Sequence, residues 1–166
     1  MRIIAILSLL FVISCGSQQS KQEEHVIDTA KPLVERIKLT DINGNEIALA
    51  SLKGKTVFLN FWATWCKPCV KEMPSMDNAY KELQGDNFVF LAASDEGIER
   101  IKKFVSQVDF SFQFVQLQGD IFDLDIKALP TTFIINPDGQ IVYNEIGARE
   151  WSTQDNIDML INLSEQ

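Results

Sequence analysis

The sequence predicts an α/β fold, a central mixed β-sheet flanked by helices, with an extra β-hairpin at its N-terminal side. Three observations carry that expectation. "TVFLNFW", Thr56 to Trp62, is a near-continuous apolar run rich in strand formers, as a strand covered on both faces requires. Strand-like runs alternate with amphipathic stretches between Thr56 and Val108. A hairpin-like segment and a last amphipathic stretch then close the chain.

Taken in order, "RIKLTDINGNEIALASLKGK" has short runs on either side of Asn43-Gly44, a dipeptide suited to a type I′ hairpin turn because both residues tolerate positive φ. After the Thr56 strand, "VKEMPSMDNAYKELQ" places Val70, Met73, Met76, Ala79, Tyr80 and Leu83 at helical spacing, the pattern of core packing. Pro74 inside that pattern is expected to kink the helix. "NFVFLAAS", Asn87 to Ser94, reads as a second buried strand, and "GIERIKKFVSQV" repeats Ile98, Ile101, Val105 and Val108 as a second helix. "FQFVQL" is a short strand and "DIFDLDIKAL" one or two helical turns. "PTTFIINPDGQIVYNEIG" is a hairpin around Asn136 to Gly139. In "WSTQDNIDMLINLSEQ", Ser152 or Thr153 is the expected N-cap, with Ile157, Leu160 and Ile161 inward. No internal repeat is present.

At 166 residues the chain has room for one ordinary domain plus some extra length. Its 46% hydrophobic and 23% charged residues are those of a soluble globule. A formal net charge of -8 excludes the polyphosphate binding that needs clustered Lys and Arg, so no nucleic acid partner is expected.

The extra length lies at the start. "MRIIAILSLLFVISCGS" has one basic residue, Arg2, an apolar run of 11 residues from Ile3 to Ile13, then a small residue and Cys15. A spanning helix needs about 20 apolar residues; a run this short fits a secretory signal. "VISC", Val12 to Cys15, resembles the bacterial lipobox, which implies that Cys15 becomes the lipidated first residue after residues 1–14 are removed. The mature chain would keep 14 basic and 23 acidic residues, a charge of -9. Residues 15–31 are polar, Gln-rich and aperiodic, as in a flexible tether. The only histidine, His25, falls in it. Residues 32–166 form the domain.

With Cys15 at the anchor, Cys66 and Cys69 answer only to each other. A strand ending at Cys66 and a helix beginning there would place the first sulfur among unpaired backbone N–H groups at the positive end of a helix dipole, which favours thiolate. The spacing returns Cys69 to the same face, near enough to close a disulfide. Pro68 in the first turn gives up an N–H that has no helical partner. Zinc would need four ligands and this domain offers two thiols, so no metal is expected. Covalent haem attachment needs His where Val70 stands, and a papain-type site needs a histidine base. A structural disulfide closing so small a loop would constrain the unfolded chain little. Electron transfer through the pair remains, and it calls for no cofactor beyond the two sulfurs.

From about Val34 to the C-terminus the chain resembles the thioredoxin superfamily, specifically the membrane-anchored TlpA/ResA-like thiol-disulfide oxidoreductases of the bacterial cell envelope. "NFWATWCKPCVKEMP", the lead-in "LKGKTVFLNFWA", the loop and hairpin "LPTTFIINPDGQIV" and the lipoprotein-like start carry the resemblance. It implies a thioredoxin-like fold, with Cys66 as the attacking sulfur and Cys69 as the resolving one. Pro130 matches the family's cis-proline, Trp65 its active-site tryptophan, and Trp62 packs. Thioredoxins proper carry a buried acid on the strand before the site, where this chain has Asn60; Glu72 matches a glutamate that TlpA/ResA-like proteins often carry instead.

The resemblance further implies a reductase of disulfide-bearing exported proteins, apocytochromes c among the candidates, recharged by a membrane electron donor. Lys67 beside Cys66 works against that direction, because a cation stabilises thiolate and so oxidising power. Rival expectations are an oxidase or isomerase, a tethered binding module, or a thiol peroxidase; peroxiredoxins place Thr where Ala63 stands.

Overall fold

The computed structural model describes residues 31–166 apart from Gln84 and Asp86. The signal-like run, Cys15, most of the tether and His25 lie outside the described residues.

Seven strands form one sheet in the order β2-β1-β5-β4-β3-β6-β7. They are β1 (Leu39–Asp41), β2 (Glu46–Ile47), β3 (Thr56–Phe61), β4 (Phe88–Ser94), β5 (Gln113–Leu117), β6 (Thr131–Ile135) and β7 (Ile141–Ile146). The helices are α1 (Leu33–Arg36), α2 (Lys67–Leu83), α3 (Ile98–Val105) and α4 (Gln154–Ser164). β3, β4 and β5 run parallel, while β6 and β7 on one side and β1 and β2 on the other pair antiparallel.

All six residues of β3 are buried, as its unbroken apolar character requires. Side chains alternate between faces along a strand, so Phe58 and Asn60 look one way and Val57, Leu59 and Phe61 the other. The Phe58 face meets α2, α3 and α4 through Met73, Met76, Ile101, Ile157, Leu160 and Trp151. There the Phe58 ring stacks on Phe90 at 4.2 Å and takes the edge of Trp151 at 4.8 Å. The Phe61 face is covered by the N-terminal segment and by two 3-10 turns, Leu49–Leu52 and Ile121–Leu124. The longer helices therefore all lie on one face.

The structure corrects one local expectation and adds detail to two others. The β1–β2 connection is not a two-residue type I′ turn. The Asp41 N–H donates to the Asn45 carbonyl at 2.8 Å, leaving residues 42–44 as a three-residue loop with Gly44 alone at positive φ (+90°). The Asp41 carboxylate organises it by accepting the N–H groups of Asn43 and Asn45, both at 2.8 Å. At the start of α4, Thr153 occupies the cap but makes no side-chain cap bond, and the Ser152 hydroxyl donates to the Glu150 carboxylate instead. Along α4, Leu163 joins Ile157 and Leu160 as a buried residue, whereas Ile161 is only half-buried. Pro74 lies within α2, where it removes one helical N–H without ending the helix.

The turn from β6 to β7 at Asn136 to Gly139 is as expected. Gly139 sits at φ +84°, and the Asn136 side-chain oxygen accepts the Gln140 N–H at 2.9 Å.

Candidate active site

The cysteine pair stands where β3 hands over to α2. Trp62 holds the exit of the strand: its N–H donates to the Ala93 carbonyl at 3.0 Å, and its fully buried ring lies 4.7 Å from Phe104 and 5.3 Å from Phe114. The Cys66 carbonyl accepts from the Val70 N–H at 3.2 Å, which makes Cys66 the N-cap of α2. Its Sγ accepts from the Cys69 N–H at 3.3 Å, so sulfur does the work that a Ser or Asp oxygen does at most helix starts. The two cysteines form a disulfide with Cα atoms 5.3 Å apart. Cys66 is 4% exposed and Cys69 not at all. Lys67 and Pro68 are exposed, and Trp65, 68% exposed, is the large apolar group at the rim.

The loop that delivers Cys66 is fastened from the next strand. Glu96, just beyond β4, accepts the Thr64 N–H at 2.6 Å and the Thr64 hydroxyl at 2.9 Å, and pairs with Arg100 at 3.0 Å. Burial alone would raise its proton affinity. The Thr64 N–H, Arg100 and the Thr64 hydroxyl overrule burial and hold the carboxyl below its ordinary range.

Glu72, one turn along α2 from Cys69, is buried. Three N–H groups converge on its carboxylate: Asn60 Nδ2 on Oε1 at 2.9 Å, and on Oε2 the Arg149 backbone N–H at 3.0 Å and Trp151 Nε1 at 3.2 Å. Burial raises its proton affinity above the ordinary carboxylate range, with help from the Glu145 charge and against those three donors. The Arg149 guanidinium does not reach the carboxylate, being occupied by Glu145 at 2.5 Å, the Tyr143 hydroxyl at 2.7 Å and Asn156 at 2.9 Å.

Pro130 follows a cis peptide bond with Leu129. Thr131 pairs with Phe61, so this loop lies at the end of β3 from which the Cys66 segment departs.

Every site residue singled out from the sequence within the described region falls at this pole of the sheet. Asn60 does stand on the strand before the site, buried, but it is joined to Glu72 rather than simply replacing an acid. Arg149, Trp151, Thr132, Thr64 and Glu96 were not foreseen. Trp151 lies 79 residues from the Glu72 it touches, and nothing in the local sequence joins the two.

A Cys-x-x-Cys disulfide at the cap of a helix, with a cis-proline loop at the same end of a thioredoxin-like sheet, defines a thioredoxin-like redox protein. The chain belongs to the AhpC/TSA family, whose model matches residues 31–144. It is 43% identical over 112 residues to the thiol-disulfide oxidoreductase ResA of Bacillus cereus (strain ZK / E33L), an alignment covering 66% of this chain and 65% of that protein. It is 36% identical over 147 residues to the thiol-disulfide oxidoreductase ResA of Bacillus thuringiensis subsp. konkukian, covering 85% of this chain and 83% of that one. The pneumococcal exposed lipoprotein thioredoxin of Streptococcus pneumoniae superposes with a TM-score of 0.65 at 26% identity, covering 76% of this chain and 98% of that one.

Proposed function

We propose that this protein is a thiol-disulfide oxidoreductase of the bacterial cell envelope that reduces disulfides in exported proteins, with apocytochrome c as a candidate substrate. The observation that carries the reading is Cys66 Sγ at the N-cap of α2, accepting an N–H bond and disulfide-bonded to a fully buried Cys69. The names of its relatives support the chemistry.

In the reduced protein, the N–H groups at the start of α2 favour a Cys66 thiolate. That thiolate attacks one sulfur of a substrate disulfide; a mixed disulfide forms and the other substrate sulfur leaves as thiolate. Glu72 takes the proton from the Cys69 thiol, and the Cys69 thiolate attacks Cys66 Sγ, releasing the second substrate sulfur. The substrate gains two electrons and the protein becomes the Cys66–Cys69 disulfide. Two electrons from a membrane donor restore the dithiol, a step the oxidising envelope makes necessary. Trp65 and the Pro130 loop frame the approaching substrate chain.

Anchoring through lipid on Cys15 is part of the proposal. It is supported by the lipobox-like start and by the likeness to an exposed lipoprotein thioredoxin. Among the described residues no helix is long and apolar enough to cross a membrane.

The test is a redox titration of the Cys66–Cys69 couple against glutathione or dithiothreitol, together with its state in cells. A low potential and a pair kept reduced by a membrane donor are expected. A potential near about -120 mV with the pair oxidised in cells would make the protein an oxidase or isomerase.

A further inference from the structure

The carboxylate of Glu72 is touched by three groups, Asn60 Nδ2, the Arg149 N–H and Trp151 Nε1, and all three are donors. That arrangement suits an ionised carboxylate and offers a protonated one no acceptor among them. Of the three, a peptide N–H and an indole N–H can only donate, whereas a side-chain amide carries a donor and an acceptor of nearly the same shape. Asn60 Nδ2 also donates to Thr132 Oγ1 at 2.9 Å, while Asn60 Oδ1 is buried without a hydrogen-bond partner. One end of the amide is doubly used and the other is idle.

We propose that the Asn60 amide is a proton-linked switch: when Glu72 gains a proton the amide turns over, so that Oδ1 accepts from the Glu72 O–H and from the Thr132 hydroxyl. The rotation is a half-turn about the terminal side-chain torsion, which is broad for Asn, and it exchanges two groups of equal size. In the ionised state Thr132 accepts from Asn60; in the neutral state it donates. Thr132 pairs with Asn60 across β3 and β6 and lies two residues beyond Pro130. The proton on Glu72 is thereby registered on the strand that carries the proline loop. Asn60 is a positioning residue here, and the inference rests on the proposed role of Glu72 as acceptor of the Cys69 proton.

Other charged and titratable groups face the same carboxylate. Glu145 and Tyr143 on β7 are tied to the Arg149 guanidinium, with Glu145 acting on Glu72 through its charge. Cys69 lies one turn back on α2 and does not titrate in the disulfide. The oxidised protein therefore takes Cys69 out of the titration.

The experiment is an NMR titration of oxidised, isotope-labelled protein, following the Glu72 carboxyl carbon and the nuclear Overhauser contact between the Asn60 side-chain NH2 and the Thr132 methyl group. The contact should be present with Glu72 ionised and lost as Glu72 takes up its proton, both with one midpoint. In Glu72→Gln protein the contact pattern should not change with pH. A contact that persists through the Glu72 titration, or that changes with pH in Glu72→Gln, overturns the switch. Turnover of Glu72→Gln reports separately on the acceptor role: slowed turnover with a fixed amide rejects the switch alone, and unchanged turnover with a moving amide rejects the acceptor role alone.

Discussion

The Trp151 indole N–H donates to Glu72 Oε2 at 3.2 Å, joining the connection before α4 to the second turn of α2. The same connection is also pinned by the Arg149 N–H on Glu72, by the Trp151 N–H on Ser75 Oγ at 3.1 Å and by the Ser75 hydroxyl on the Arg149 carbonyl at 3.4 Å. A segment distant in sequence thus sets both the geometry and the proton affinity of the acid next to the disulfide.

Replacing Trp151 by Phe removes one donor to the ionised carboxylate and part of a fully buried ring. Loss of a hydrogen bond to a charged group costs about 1.5–3 kcal/mol. The proton affinity of Glu72 should rise further, since this donor lowers it. Urea unfolding and the pH dependence of turnover check both; an unshifted pH profile would show that the indole does not act on Glu72.

Glu72→Gln should change stability with pH in a defined sense. The folded carboxyl holds its proton above its ordinary range. Its contribution is therefore fully present below the unfolded value and lost as pH rises through the folded value. Glutamine removes that dependence, so the variant should gain on wild type at pH 7 and the gain should shrink toward pH 4. Thermal unfolding at several pH values measures it. If Glu72 acts as base, turnover should fall about 10²-fold or more.

Glu96→Ala leaves the Thr64 N–H without its acceptor in the loop before Cys66. An unsatisfied donor costs about 1–3 kcal/mol when fully buried and less at this part-buried position, and amide exchange at Thr64 to Cys66 should quicken. Because the Glu96 carboxyl is held below its ordinary range, its stabilisation is present above the unfolded value and is lost as pH falls through the folded one. Acid should therefore loosen this loop in wild type and change little in the variant.

In the reduced protein, alkylation followed by peptide mass analysis should label Cys66 well ahead of Cys69. Cys66 caps the helix and keeps some exposure, whereas Cys69 has none. A difference of about tenfold or more is expected at neutral pH, given how far a helix N-terminus favours thiolate. Cys69 labelled first would reverse the assigned roles.

The local sequence by itself determined the strands, the helices, the turn at Asn136 to Gly139 and the place of the cysteine pair. Each of these is written in near neighbours: an unbroken apolar run, a helical repeat, a turn dipeptide, two thiols three residues apart. Glu72 and Asn60 also stand out in the sequence, but whether Glu72 is buried, and against what, is not legible there, because an isolated Glu on a helix looks the same whether it is solvated or buried. Only the tertiary structure decided that. Strand alternation turns Asn60 toward α2, and the packing of Trp151 on Phe58 brings an indole N–H to Glu72 Oε2. The Asp41 loop shows the same limit at short range. Asn43-Gly44 favours a type I′ turn by propensity, yet a carboxylate accepting two backbone N–H groups selects a different one. Burial and hydrogen-bond partners come from which surfaces meet, and residues far apart in the chain meet only once the sheet has formed.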